Sequence, residues 1–129
     1  MIEPLGYLDF AKEILDSIPI TEIKIRTAVN RAYYAVYLYA ADKYSQAKGN
    51  DPSIEAIIRS HARFIKELKL EASQLLQKLG NQLNDLKQDR EKADYEYRAN
   101  VSKNSAQKSY FQALHIKQTV DTAFSSFIG

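Results

Sequence analysis

Ile25-Arg26-Thr27-Ala28-Val29-Asn30-Arg31-Ala32-Tyr33-Tyr34-Ala35-Val36-Tyr37-Leu38-Tyr39 decides the fold, because its apolar residues share one side only if the chain is helical. Ile25, Ala28, Val29, Ala32, Ala35, Val36 and Tyr39 recur at steps of three and four. Most are small, so a neighbouring helix can approach closely. The pattern runs from about Glu22 to Gln46 with Thr21 as N-cap, which predicts the central helix of an all-α bundle. Beside this face, Arg26, Asn30, Tyr33, Tyr34, Tyr37 and Tyr44 form a strip too rich in phenol rings for ordinary solvated surface. Arginine interleaved with tyrosine suits stacking on unpaired bases, and suits a protein interface better.

The rest of the chain continues the helical rhythm. Gly and Pro number only four and three, so connections should be short. A first helix is expected from about Pro4 to Ser17, closed ahead of Pro19, which bars its predecessor from the α region. Lys48 to Ser53 reads as a loop, with Ser53 capping one helix through Ile54, Ile57, Ile58, Phe64 and Ile65. The next helix spans about Glu71 to Tyr97 and includes Gly80, which costs about 1 kcal/mol against Ala and signals a bend or a close contact. After a polar break at 100–105, Ala106, Tyr110, Ala113, Val120, Ala123, Phe124 and Phe127 form the inner face of a last helix.

At 129 residues, 45% of them hydrophobic, the chain suits a single domain over 1–129. Lys plus Arg outnumber Asp plus Glu by 18 to 16, and a net charge of +2 supplies no broad attraction for nucleic acid. Any such binding must be local. The absence of cysteine excludes disulfides, thiolate metal sites and cysteine nucleophiles. No apolar run is long enough for a membrane span, and Met1-Ile2-Glu3-Pro4 lacks the features of a signal peptide, so a soluble cytoplasmic protein is expected. There is no glycine-rich phosphate loop, serine elbow or acidic metal cluster, and no cofactor is indicated.

Chemistry concentrates where the helical pattern is broken. Leu79, Leu83 and Leu86 lead by the same rhythm to Arg90, then Ala93 or Asp94 and Tyr97, and Arg90 is a cation that cannot shed its proton on a face that should stay apolar. Asp94, one turn on, can reach it, as an ion pair at a bundle end or as part of a phosphate-binding site. His61 lies between Arg59 and Arg63, whose charges should depress its pKa and leave it a neutral base. His115 should be exposed or at a subunit contact, and two histidines so far apart predict no metal site. Tyr95 projects away from Leu79 and Leu86, towards another helix or a partner chain. Arg90, Asp94 and His61 could also form a buried polar cluster that only fixes packing register.

Arg26 to Tyr37, followed by His61 and then Arg90-Glu91-Lys92-Ala93-Asp94-Tyr95, resembles the small prokaryotic branch of HEPN domains, with its R-x-A-x-x-R-A-Y-Y-A and R-x-x-A-D-Y motifs. The resemblance implies an up-and-down bundle of four to five helices, usually a homodimer and often encoded beside a minimal nucleotidyltransferase as a toxin and antitoxin pair. Many HEPN proteins are metal-independent ribonucleases whose R-x(4-6)-H motifs meet across two protomers. Here no histidine follows Arg90 at that spacing, and Asp94 stands near its place. The expected function is therefore a non-catalytic or weakly catalytic module of a toxin-antitoxin or defence system that binds nucleotide, RNA or a partner, through Arg90, Tyr95, Tyr34, Arg31 and Asn30. The alternative is a metal-independent endoribonuclease working through Arg90, His61 and Asp94.

Overall fold

A computed structural model describes residues 3–125, and the expected inner-face residue Phe127 lies outside them. Six helices and no strand occur among the described residues: α1 (Gly6–Asp16), α2 (Glu22–Ala47), α3 (Pro52–Ile58), α4 (His61–Leu70), α5 (Gln74–Tyr95) and α6 (Lys103–Ala123). The all-α bundle is as expected, with one more helical segment than the four to five anticipated. Helix α2 is central and packs against α1, α5 and α6, while α4 packs against α5. Its small inner residues Ala28, Ala32, Ala35 and Ala40 are at most 1% exposed, which lets three helices close around it. Leu79, Leu83 and Leu86 of α5 are fully buried, each contributing about 1.5–3 kcal/mol of burial.

The extra segment arises at Arg59-Ser60, where one helix was expected. Ser60 is extended and its side chain accepts from the Arg63 amide, so α4 begins anew at His61. The Tyr37 hydroxyl donates to the Ile58 carbonyl that the break frees at the end of α3. At the other end of α3 the cap is Asp51 rather than Ser53. Its carboxylate accepts from the Ser53 amide and hydroxyl at 2.9 Å, and Pro52 takes the first helical position, where a missing N–H costs nothing. The turn before it uses left-handed backbone at Gly49 and Asn50.

Tyr33, Tyr37 and Tyr44 are 0–2% exposed, so this part of the aromatic strip is core and not an interface. They are covered because α4, packed against α5, brings His61 and Phe64 onto the tyrosine rings. At the far end of α5 the helix stops at Tyr95, and Tyr97, expected on the inner line, is 77% exposed. Arg26 explains the stop. Its guanidinium donates to the carbonyls of Lys92, Ala93, Glu96, Tyr97 and Ala99, which gather the chain around the α2 side chain instead of prolonging the helix.

Gly80 marks a close contact. A Cβ built there would lie 3.0 Å from Lys69 Cγ and 3.2 Å from both the Ile65 carbonyl oxygen and Leu68 Cβ of α4. Lys69 can move aside, but the backbone oxygen and the Leu68 stem cannot without separating α4 from α5. Gly80→Ala should therefore destabilise the protein by about 1–2 kcal/mol despite a propensity gain of about 1 kcal/mol. Urea unfolding measures this, and a more stable variant would show that the two helices are not in intimate contact.

Candidate nucleotide and RNA site

Three helices bring the predicted polar residues together. The starting point is Tyr33, whose ring is fully buried between a cation and an imidazole. The Arg90 guanidinium lies 5.2 Å from the Tyr33 ring centre and 5.8 Å from that of Tyr34, within range for cation–π attraction. On the same pair of rings sits His61, 5.5 Å from Tyr33 and 5.7 Å from Tyr34 between ring centres, and it stacks on Tyr37 at 3.8 Å. Thus the break that starts α4 at His61 carries the imidazole beside Arg90, although 29 residues separate them in sequence.

Arg90 is 9% exposed, yet its hydrogen bonding is sparse. One nitrogen reaches Asp94 Oδ2 at 3.5 Å, the long limit of a hydrogen bond, and Nε is buried with no partner. Asp94 is drawn the other way, accepting from Asn30 Nδ2 of α2 at 2.9 Å on the same oxygen. Next to this pair, Asn30, Arg31, Asp94, Arg26 and Thr27 line an open groove between α2 and the end of α5. Arg31 rests over the Tyr7 ring at 5.6 Å and carries a second positive charge at this groove.

The proton on His61 can be assigned from its surroundings. Tyr33 Oη lies 2.7 Å from His61 Nδ1, and burial pushes the Tyr33 hydroxyl far above the ordinary phenol pKa, so it keeps its proton. That proton has no other acceptor among the described residues, and so Tyr33 donates and Nδ1 accepts. The neutral ring must then carry its hydrogen on Nε2. Burial, then the charges of Arg90 and Lys87, lower the His61 pKa to about 4. The flanking Arg59 and Arg63, which the sequence suggested as the cause, are exposed. A position at the first turn of α4 acts in the same direction, since the helix N-terminus repels a cation.

Of the residues singled out in the sequence, Arg90, Tyr34 and His61 surround Tyr33, Asp94 joins Arg90 to Asn30, and Asn30, Asp94 and Arg31 border the groove. Tyr95 does not join them; it is 72% exposed and lines a separate shallow surface with Glu96, Tyr97, Arg98 and Ala99. The role of Tyr33 as the joint between Arg90 and His61 was not legible beforehand, although Arg26, Asn30 and Tyr33 already shared one helix face. Among the described residues no three His, Cys, Asp or Glu side chains converge, and no helix is long and apolar enough to cross a membrane.

The depressed His61 pKa has a stability consequence. Unfolded, the ring binds a proton below about 6.5; folded, it resists protonation down to about 4. The contribution is thus complete above pH 6.5 and is lost as pH falls towards 4, by about 3 kcal/mol. Urea denaturation of the native protein and His61→Gln at pH 7 and pH 4 isolates this term. Equal acid sensitivity of the two would show that His61 titrates normally.

The HEPN domain family model matches residues 9–122. No curated protein and no solved structure gives a significant match. The match supports a general nucleotide- or RNA-related role, in a family whose domains commonly dimerise. Covering almost the whole chain and agreeing with its helical architecture, it establishes that this protein belongs to the HEPN domain family.

Proposed function

We propose that this chain is a non-catalytic or weakly catalytic HEPN protein that binds the phosphate of a nucleotide or RNA at the groove between α2 and α5. The observation that carries this reading is the state of Arg90: a guanidinium 9% exposed, with one contact at 3.5 Å and an unpartnered Nε. A buried charge so poorly satisfied is costly, and an anion that accepts two parallel N–H bonds would relieve it. Asn30 competes for Asp94, so the carboxylate can swing to the amide when phosphate takes the arginine. Arg31 adds charge at the groove, Tyr34 forms the wall next to Arg90, and exposed Tyr95 offers a ring for a base farther along the strand. Resemblance to the small prokaryotic HEPN branch supports a homodimer, and a setting in a nucleotidyltransferase-associated toxin-antitoxin or defence module.

A second reading, a metal-independent endoribonuclease, is favoured by the placing of His61 beside Arg90 on the shared Tyr33 and Tyr34 rings. With Nε2 protonated and Nδ1 engaged, His61 can donate a hydrogen bond to a phosphate oxygen or leaving group. It cannot take a proton through Nε2 without first exchanging tautomers. This limits it to orientation or proton donation, and favours binding over efficient cleavage.

Fluorescence anisotropy with a labelled single-stranded oligoribonucleotide tests the first reading. Arg90→Lys keeps the charge but loses the planar fork, and should weaken binding about tenfold, with affinity of the native chain falling as salt rises. Unchanged binding by a folded Arg90→Lys variant would reduce Arg90 to a packing element. Metal-free cleavage of the same RNA, lost in both Arg90→Ala and His61→Ala, would replace the binding reading by the enzymatic one.

A further inference from the structure

Helix α4 runs antiparallel to α5 and begins near the level of Arg90. Gly80 of α5 lies against Ile65, Leu68 and Lys69 of α4, and two turns further along α5 the charge of Lys87 acts on His61, the first residue of α4. The axis of α4, prolonged past its start, therefore points towards the turn of α5 that carries Arg90. Ser60 serves the Arg63 amide with its hydroxyl and the Phe64 amide with its carbonyl, while the amides of His61 and Ala62 have no carbonyl within the helix to bond. These donors and the positive end of the helix dipole meet the Arg90 guanidinium, which is 9% exposed with Nε unpartnered. Arg59 and Arg63 flank His61 from the exposed side, whereas the carboxylates of Glu91 and Asp94 are each held by a cation, Lys87 at 3.3 Å and Arg90 at 3.5 Å.

We propose that the corner between Arg90 and the start of α4 takes a terminal phosphate, the phosphomonoester of a free nucleotide or of an RNA end, with Lys87 as its second cation. This site rests on the phosphate-binding role proposed for Arg90 and narrows it to one class of phosphate. An internal phosphodiester must continue as chain on both sides. The groove beside Arg90 is open along Ile23, Thr27, Asn30 and Asp94. Beyond Arg90 the space between α2 and α5 is filled, because His61 packs on Tyr33, Tyr34 and Tyr37 and Phe64 follows against Tyr37. A strand can therefore lie on one side of Arg90 only, and it has to end there. Charge points the same way: a monoester carries about −1.5 to −2 at neutral pH, against about −1 for a diester, which suits two α5 cations facing a helix N-terminus. It also has one more free oxygen than a diester, so the Arg90 fork and the α4 amides need not compete for acceptors.

Competition anisotropy with the full chain compares one single-stranded oligoribonucleotide bearing hydroxyl ends, a 5′-phosphate or a 3′-phosphate, and sets AMP against adenosine. At least one phosphorylated form should bind about tenfold tighter than the hydroxyl-ended strand, and AMP should compete where adenosine does not. Lys87→Gln, which should melt as the native chain does, should remove most of that advantage and leave the hydroxyl-ended strand within about twofold. Lys78→Gln, more than two turns away on α5, should change neither. AMP competing as well as the phosphorylated strand would identify a free nucleotide, and a strand at least about tenfold better than AMP would identify an RNA end; both outcomes uphold the site. Equal binding of phosphorylated and hydroxyl-ended strands, or an end preference untouched in Lys87→Gln, would overturn it and leave Arg90 as a ligand for internal phosphates. Failure of the native chain to bind any of these anions would instead overturn the phosphate-binding role of Arg90, and the terminal-phosphate site with it.

Discussion

The arrangement of the site depends on the grip of one side chain, Arg26, on the end of α5. A helix C-terminus leaves carbonyls without partners and a partial negative charge, and these are commonly met by water or a glycine cap. Here a guanidinium from α2 donates to two carbonyls of the last turn, Lys92 and Ala93, and to three just beyond it, Glu96, Tyr97 and Ala99, while Glu22 one turn earlier balances it at 3.1 Å. The grip ends the helix and fixes the rotation of its last turns about α2. Arg90 is thereby turned onto Tyr33, and Asp94 onto Asn30. The contact between α2 and α5 is apolar at Leu79 to Leu86 and polar from Arg90 onward, so one helix pair serves as core at one end and as site at the other.

A second constraint comes from α4. Its start at Ser60 puts His61 over the α2 tyrosines and lets Tyr37 serve the broken end of α3, so the same break that adds a helix also completes the polar cluster. Gly80 permits it, since the close approach of α4 to α5 leaves no room for a Cβ. Packing and chemistry are coupled here: the imidazole is neutral because it is partly buried beside Arg90, and it lies there because α4 begins at Ser60 and packs on α5.

Much of this was legible from the residues. The small-residue face of α2 and the leucine line of α5 dictated a bundle, and the arginine ending that line pointed to the site. What escaped the sequence was mostly the break at Arg59-Ser60, for the apolar spacing of Ile54, Ile57, Ile58, Phe64 and Ile65 reads smoothly through it. A serine cap inside such a run is a weak local signal, decided by tertiary contacts such as Tyr37 to Ile58. The same omission made His61 seem governed by Arg59 and Arg63, its neighbours in sequence, when Arg90 and Lys87 of α5 are its neighbours in space. Tyr97 was placed inward because periodicity extends beyond a helix end that only Arg26 defines.

Arg26 and Arg90, on facing helices, divide the uses of arginine between them. Arg26 meets a dense set of fixed carbonyls and is satisfied by the fold itself. Arg90 is more buried than function-free packing requires, since methionine would fill the same space without the desolvation of a charge. Its ring partners attract a cation without consuming N–H donors, so cation–π contact holds the guanidinium in place and leaves Nε without a hydrogen-bond partner. Asp94 neutralises it only loosely and has Asn30 as a second place to go. His61, fixed as an Nε2–H donor, adds to the same polarity. Under the proposed reading, a cluster whose free valences are donors, with its carboxylate already occupied, would receive an anion; the missing histidine after Arg90 removes a base and leaves those donors unchanged.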